Sequence, residues 1–159
     1  MERIASFGVN HEKMSRGIFV SRIDTIGDNY ITTFDIRIKL PNREPVLNIS
    51  EMHTMEHLGA TYLRNHKVWS DKVIYWGPMG CRTGFYIILK GKLKSNDIVD
   101  LMKETFAFMS EYNGGIPGST AIECGNYLDQ NLPMANYESK KYLENTLTNL
   151  NEENLQYPE

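Results

Sequence analysis

The chain has 159 residues, of which 41% are hydrophobic and 23% charged. That is enough for one domain with a proper core and too little for two, and the composition excludes disorder and a membrane protein. A net charge of −3, a pI near 5.8 and the absence of a Lys/Arg cluster interleaved with aromatics exclude nucleic acid as an expected partner.

The first residues, Met1 to Ala5, lack the apolar core of a secretion signal, and no stretch approaches the roughly 20 apolar residues of a membrane helix, so no membrane is expected and a cytoplasmic location is. In that compartment Cys81 and Cys124 are expected as thiols, free to do chemistry.

Alternation predicts two half-buried strands, from Gly17 to Ile23 and from Tyr30 to Leu40, joined as a hairpin through Thr25-Ile26-Gly27-Asp28-Asn29. In the second, Phe34, Ile36, Ile38 and Leu40 face one way and Asp35, Arg37 and Lys39 the other, which predicts solvated charges. Pro41 and Pro45 stop it.

With Ser50 as N-cap, a helix is expected from about Glu51 to about Asn65. His53, Glu56, His57, Ala60 and Arg64 share one of its faces, whereas Met55, Leu58, Gly59 and Tyr62 imply close packing on something flat. Strand-like runs follow at Val73 to Trp76 and Phe85 to Leu89, flanking Gly77 to Gly84. A second helix starts at Ser95 and ends at Gly114-Gly115, a third runs from about Asn136, and Asn151 to Glu159 reads as a loose polar tail. The whole, residues 1–159, is read as one α+β domain: a largely antiparallel β-sheet with helices packed on one face.

His53-Thr54-Met55-Glu56-His57 carries the chemistry. Histidines at i and i+4 can both turn a ring nitrogen to one metal ion, but a tetrahedral ion needs more than two ligands. His11, His66 and the two thiols are the remaining candidates. Cys124, in the loop Glu123-Cys124-Gly125-Asn126, would complete a Cys/His2 site with its fourth position open, as catalytic sites require. Glu56, on the same face, suits a base acting on a metal-bound oxygen or a substrate proton. Cys81 lies beside Gly80 and Arg82, where a nearby positive charge would favour the thiolate.

Five blocks resemble the S-ribosylhomocysteine lyase family (LuxS): Ser6-Phe7-Gly8-Val9-Asn10-His11, Phe34-Asp35-Ile36-Arg37, His53 to Leu58, Gly77 to Tyr86 and Glu123-Cys124-Gly125. The resemblance spans about Ser6 to Leu147, and the block around Cys81 is its most specific part. It implies a metallopeptidase-like fold and cleavage of the S-ribosylhomocysteine thioether to homocysteine and 4,5-dihydroxy-2,3-pentanedione, the precursor of autoinducer 2, by carbonyl migration and β-elimination.

The resemblance also implies one divalent metal ion per subunit, iron(II) in the native state with zinc or cobalt possible, held by His53, His57 and Cys124. Cys81 and Glu56 would be the acid/base groups, and Ser6, His11 and Arg37 would bind substrate. A homodimer with active sites at the subunit interface is implied as well.

Two departures stand out: Tyr75-Trp76-Gly77 where many relatives carry Asp-Ile-Ser, and Asn10 in place of a frequent aspartate. The competing readings are a zinc peptidase of the inverted His-x-x-Glu-His type, for which the chain is short and Cys81 idle, and a non-catalytic metal- or signal-binding relative.

Overall fold

Two alternating runs build the first hairpin: β1 (Gly17–Ile26) and β2 (Asn29–Arg37) pair antiparallel, with Ile26 opposite Asn29 so that Gly27 and Asp28 close the turn. The computed structural model describes residue 2 and residues 4–158, with the side chains of Ala5 and Ser6 outside the description. β3 (Val73–Pro78) and β4 (Gly84–Lys90) complete a sheet of order β1-β2-β4-β3, antiparallel throughout.

Period-2 alternation puts Ile18, Phe34, Ile36, Trp76, Phe85 and Ile87 on one face of this sheet, all buried. On that face pack α1 (Ile49–Arg64), α2 (Val99–Glu111) and α3 (Leu132–Asn145), through Met55 and Leu58, Met102 and Phe106, and Tyr142. The result is the expected α+β arrangement. Among the described residues no helix is long and apolar enough to cross a membrane.

Gly59 explains how closely α1 approaches the sheet. A Cβ there would lie 2.4 Å from Nε1 of Trp76, whose indole donates to the Met55 carbonyl at 3.3 Å and stacks on Phe85. The helix bearing His53, Glu56 and His57 is thereby locked to β3.

Several boundaries differ from the sequence reading. α1 starts two residues early because Asn48, not Ser50, is its N-cap, and Glu51 accepts back from the Asn48 amide at 2.8 Å. Ser95 does not cap α2: its hydroxyl donates to the Leu155 carbonyl at 2.9 Å, and a 3-10 turn (Ser95–Ile98) precedes the helix. α3 starts at Leu132, since Asn131 accepts from the Met134 amide and Pro133 suits the first turn.

The largest corrections concern Arg37 and the tail. Asp35, Arg37 and Lys39 are buried rather than solvated. Asp35 and Arg37 pair with each other on the outer face of β2, and Lys39 reaches Glu138 of α3 at 2.7 Å. The carboxyl-terminal segment covers the outer face: Asn154 donates to the Arg16 carbonyl at 2.8 Å, and Tyr157 stacks on Phe19 with ring centroids 5.0 Å apart. What composition marks as loose is docked, because its few apolar and amide groups find partners along β1.

Candidate metal centre and catalytic pocket

On α1 the four-residue spacing brings Nε2 of His53 to 3.0 Å from Nε2 of His57. The loop between α2 and α3 brings Cys124 in, its Sγ 3.4 Å from His53 Nε2, and the three ligand atoms all lie within 4.8 Å of one another. No other cluster of three such groups occurs among the described residues.

The surroundings decide which nitrogens face inward. His53 Nδ1 lies 2.8 Å from the Asp129 carbonyl and His57 Nδ1 2.7 Å from the Pro117 carbonyl. A carbonyl only accepts, so each Nδ1 carries the proton and each Nε2 presents a lone pair. Two lone pairs facing at 3.0 Å repel unless a cation lies between them, and the Cys124 sulfur beside them offers a third ligand atom. The residues therefore fit a divalent ion with one position left open.

The loop is held for this purpose. The Asn131 amide donates to Thr54 Oγ1 at 2.9 Å, tying the Asp129 region to α1. Gly118, at φ +69°, turns the chain after Pro117 so tightly that a Cβ would come within 3.3 Å of His57 Nδ1. The Asn126 amide donates to Cys124 Sγ at 3.4 Å, which fixes the sulfur's orientation. Glu56 is half-buried on the same helix, and its side chain makes no hydrogen bond among the described residues.

Cys81 occupies a different place. The turn between β3 and β4 is fixed by Met79 N donating to Gly84 O, Arg82 N to Met79 O and Leu47 N to Arg82 O, and it presents an exposed thiol. The sulfur lies 3.1 Å from Thr83 Oγ1 and 3.8 Å from Arg37 Nη1. Arg82, expected to supply the positive charge, has its guanidinium near the Leu47 carbonyl, 3.5 Å away. Its backbone takes φ +59° to close the turn, so Arg37 supplies that charge instead.

Arg37 and His11 share with Cys81 a cavity of about 260 Å³, also lined by Asp35, Tyr86 and Tyr157. Asp35 grips Arg37 through Nη2 at 2.5 Å and Nε at 3.1 Å. Burial pushes the Asp35 carboxyl up from its ordinary value, opposed by Arg37 and by the Tyr157 hydroxyl that donates to it at 2.9 Å. Burial works against the Arg37 charge, and Asp35 more than restores it. Burial also raises Tyr86, and raises Tyr157 far above the ordinary phenol range with the Asp35 charge adding to it.

His11 donates from Nδ1 to the Val9 carbonyl at 2.9 Å, which leaves Nε2 as an acceptor. Ser6 belongs to the 3-10 turn Ala5–Gly8, and its side chain lies outside the described residues. None of His53, His57 and Cys124 lines the Cys81 cavity.

The sequence reading missed Thr83, Asp35 and Tyr157. The first two lie two residues from recognised ones, Asp35 on the same face of β2 as Arg37 and Thr83 in the same turn as Cys81. Nothing in the sequence pointed to Tyr157, 122 residues from its partner.

Known proteins match this chain over nearly its whole length. The S-Ribosylhomocysteinase (LuxS) family model matches residues 4–153. The S-ribosylhomocysteine lyase of Clostridium beijerinckii is 58% identical over 99% of both chains. Those of Phocaeicola vulgatus, 56% identical over 99% of this chain and 98% of its own, and Finegoldia magna, 58% over the full length of both, match similarly. The chain belongs to the S-ribosylhomocysteinase (LuxS) family.

Proposed function

We propose that this chain is a metal-dependent S-ribosylhomocysteine lyase, cleaving the thioether to homocysteine and 4,5-dihydroxy-2,3-pentanedione. One observation carries the reading: a Cys/His2 donor set in a chain more than half identical end to end to proteins of that name.

A thioether carbon expels its sulfur only when the proton next to it is acidified by a carbonyl, so the sugar carbonyl must first move from C1 to C3. His53, His57 and Cys124 would hold the ion, iron(II) or a substitute such as zinc or cobalt, which supplies Lewis acidity toward the sugar oxygens.

The rest falls to side chains. The Cys81 sulfur takes the C2 proton and returns it at C1, then takes the C3 proton and returns it at C2; Glu56, half-buried beside the metal ligands on α1, moves the accompanying hydroxyl protons. With the carbonyl at C3, Glu56 takes the C4 proton, the C5–S electrons pass onto sulfur, and homocysteine departs as a thiolate that takes up that proton. Arg37, His11 and Ser6 bind the substrate, Arg37 by charge and His11 by Nε2.

The same reading extends to a homodimer. Ile4, Phe7 and Tyr75 are exposed apolar groups at or near the outer sheet face beside the Cys81 cavity, a surface suited to a second copy. Tyr75 stands where many relatives carry an acid, so contact rather than charge acts there. Each active site would pair the metal centre and Glu56 of one subunit with the His11, Arg37 and Cys81 cavity of the other, in a cytoplasmic enzyme.

Cobalt-loaded protein purified without oxygen should release free thiol from S-ribosylhomocysteine. A folded, metal-loaded sample that releases none overturns the reading.

A further inference from the structure

We propose that Thr83 and Tyr157 are positioning residues for Cys81: Thr83 passes the Arg37 charge to the sulfur through its hydroxyl, and Tyr157 of the carboxyl-terminal segment holds the Asp35 clamp that keeps Arg37 in place. The inference rests on Cys81 being the proton-transfer group.

The geometry gives the direction of each bond. Arg37 Nη1 donates to Thr83 Oγ1 at 2.6 Å, and a guanidinium can only donate. The Thr83 oxygen, already loaded with a positively charged donor, keeps its own proton free for Cys81 Sγ, 3.1 Å away. Each bond polarises the next, so the hydroxyl donates most strongly when the sulfur is a thiolate. When Cys81 holds a proton, the same oxygen accepts from S–H. Thr83 thus serves both states of a group that must take and give protons in turn.

Arg37 keeps its aim only while Asp35 stays ionised, since both carboxylate oxygens are committed to its Nε and Nη2. Asp35 is buried and needs every donor it has. The third is the Tyr157 hydroxyl at 2.9 Å. The ring of Tyr157 lies flat on Phe19, 12° from parallel, so the tail delivers that hydroxyl at a fixed angle.

The remaining titratable groups facing this cavity are Tyr86 from β4 and His11 from the amino-terminal segment, and neither bonds to the sulfur. The line Tyr157, Asp35, Arg37, Thr83, Cys81 therefore joins the end of the chain to the exposed thiol.

The test reads alkylation of Cys81 by iodoacetamide against pH, followed by mass on the peptide 73–82 of cobalt-loaded protein, so that metal-bound Cys124 does not contribute. Losing one hydrogen bond to a charged sulfur should slow Cys81→carbamidomethyl conversion at pH 7 about tenfold in Thr83→Val and displace its pH profile upward, with Thr83→Ser restoring the wild-type rate. Tyr157→Phe, which keeps the stacking, should slow it about threefold, the smaller effect of a more distant bond.

Simple loosening would make an already exposed thiol react faster at every pH, the opposite sign. Wild-type profiles in folded Thr83→Val overturn the relay. A wild-type profile in Tyr157→Phe overturns the part given to the tail, whether or not Thr83→Val folds. Full turnover in Cys81→Ala would instead overturn the role of Cys81 on which the inference rests, and leaves the alkylation result readable.

Discussion

The metal centre and the Cys81 pocket are built on opposite plans. The first needs one helix and one loop: two imidazoles a helical turn apart, each steered by a backbone carbonyl, and a sulfur from the segment that supplies those carbonyls. The second gathers side chains from the amino-terminal segment, β2, β4, the turn before β4 and the far end of the chain. Backbone carbonyls tolerate almost any side chain at their own residue, so apart from Gly118 the residues that steer the two imidazoles are free to vary. The pocket depends on side chains that are themselves part of the buried structure.

The sharpest way to break this comparison is to separate the two halves. Cys81→Ala should keep its metal and lose turnover, and His57→Ala should lose metal and turnover together. If each site takes its metal from one subunit and its thiol from the other, co-refolding the two inactive proteins restores one intact site in each mixed dimer. About a quarter of the wild-type thiol release per subunit is then expected from random pairing. Thiol release that stays at zero in a mixture shown to contain mixed dimers would place both halves of the site in one chain.

A second contrast concerns stability. Asp35→Ala leaves the Arg37 charge buried without its partner, and loss of about 3–5 kcal/mol in urea unfolding is expected. Cys124→Ala removes a half-buried side chain, the proposed third metal ligand, from a loop, and in metal-free protein it should stay within about 0.5 kcal/mol of the parent. Similar losses in the two would erase the distinction between a pocket that is part of the fold and a centre that is grafted onto it.

That distinction also governs what was legible in the sequence. His53 and His57 announced themselves by a spacing that only a helix turns into a shared face, and the strands by alternation. Arg37 read as a solvated charge because alternation reports which face a residue occupies and is silent on what covers that face. The cover is a polar tail, 151–158, whose docking depends on one stacked ring and a few amide contacts rather than on an apolar stripe. The positive charge near Cys81 was assigned to its neighbour Arg82 for the same reason: sequence shows adjacency along the chain, and the sheet register that sets Arg37 opposite Gly84 is a long-range fact.

The weakest test works at the edge of the pocket side. Glu44 accepts from the Leu40 amide and from Arg16, the residue that leads into β1 and whose carbonyl receives Asn154 from the tail. Burial opposes its charge, yet these donors win and hold the Glu44 carboxyl below its ordinary value of 4.5. A carboxylate depressed on folding adds stability above its unfolded value, and that contribution disappears as pH falls through the lower folded value. Between about pH 6 and pH 3, Glu44→Gln should therefore lose less stability than the parent, the difference amounting to about 0.2–1 kcal/mol because water screens a surface pair. Parallel stability curves for the two proteins across that range would mean that the Arg16 staple contributes nothing, and that the tail is held at β1 by the Asn154 bond and the Tyr157 stacking.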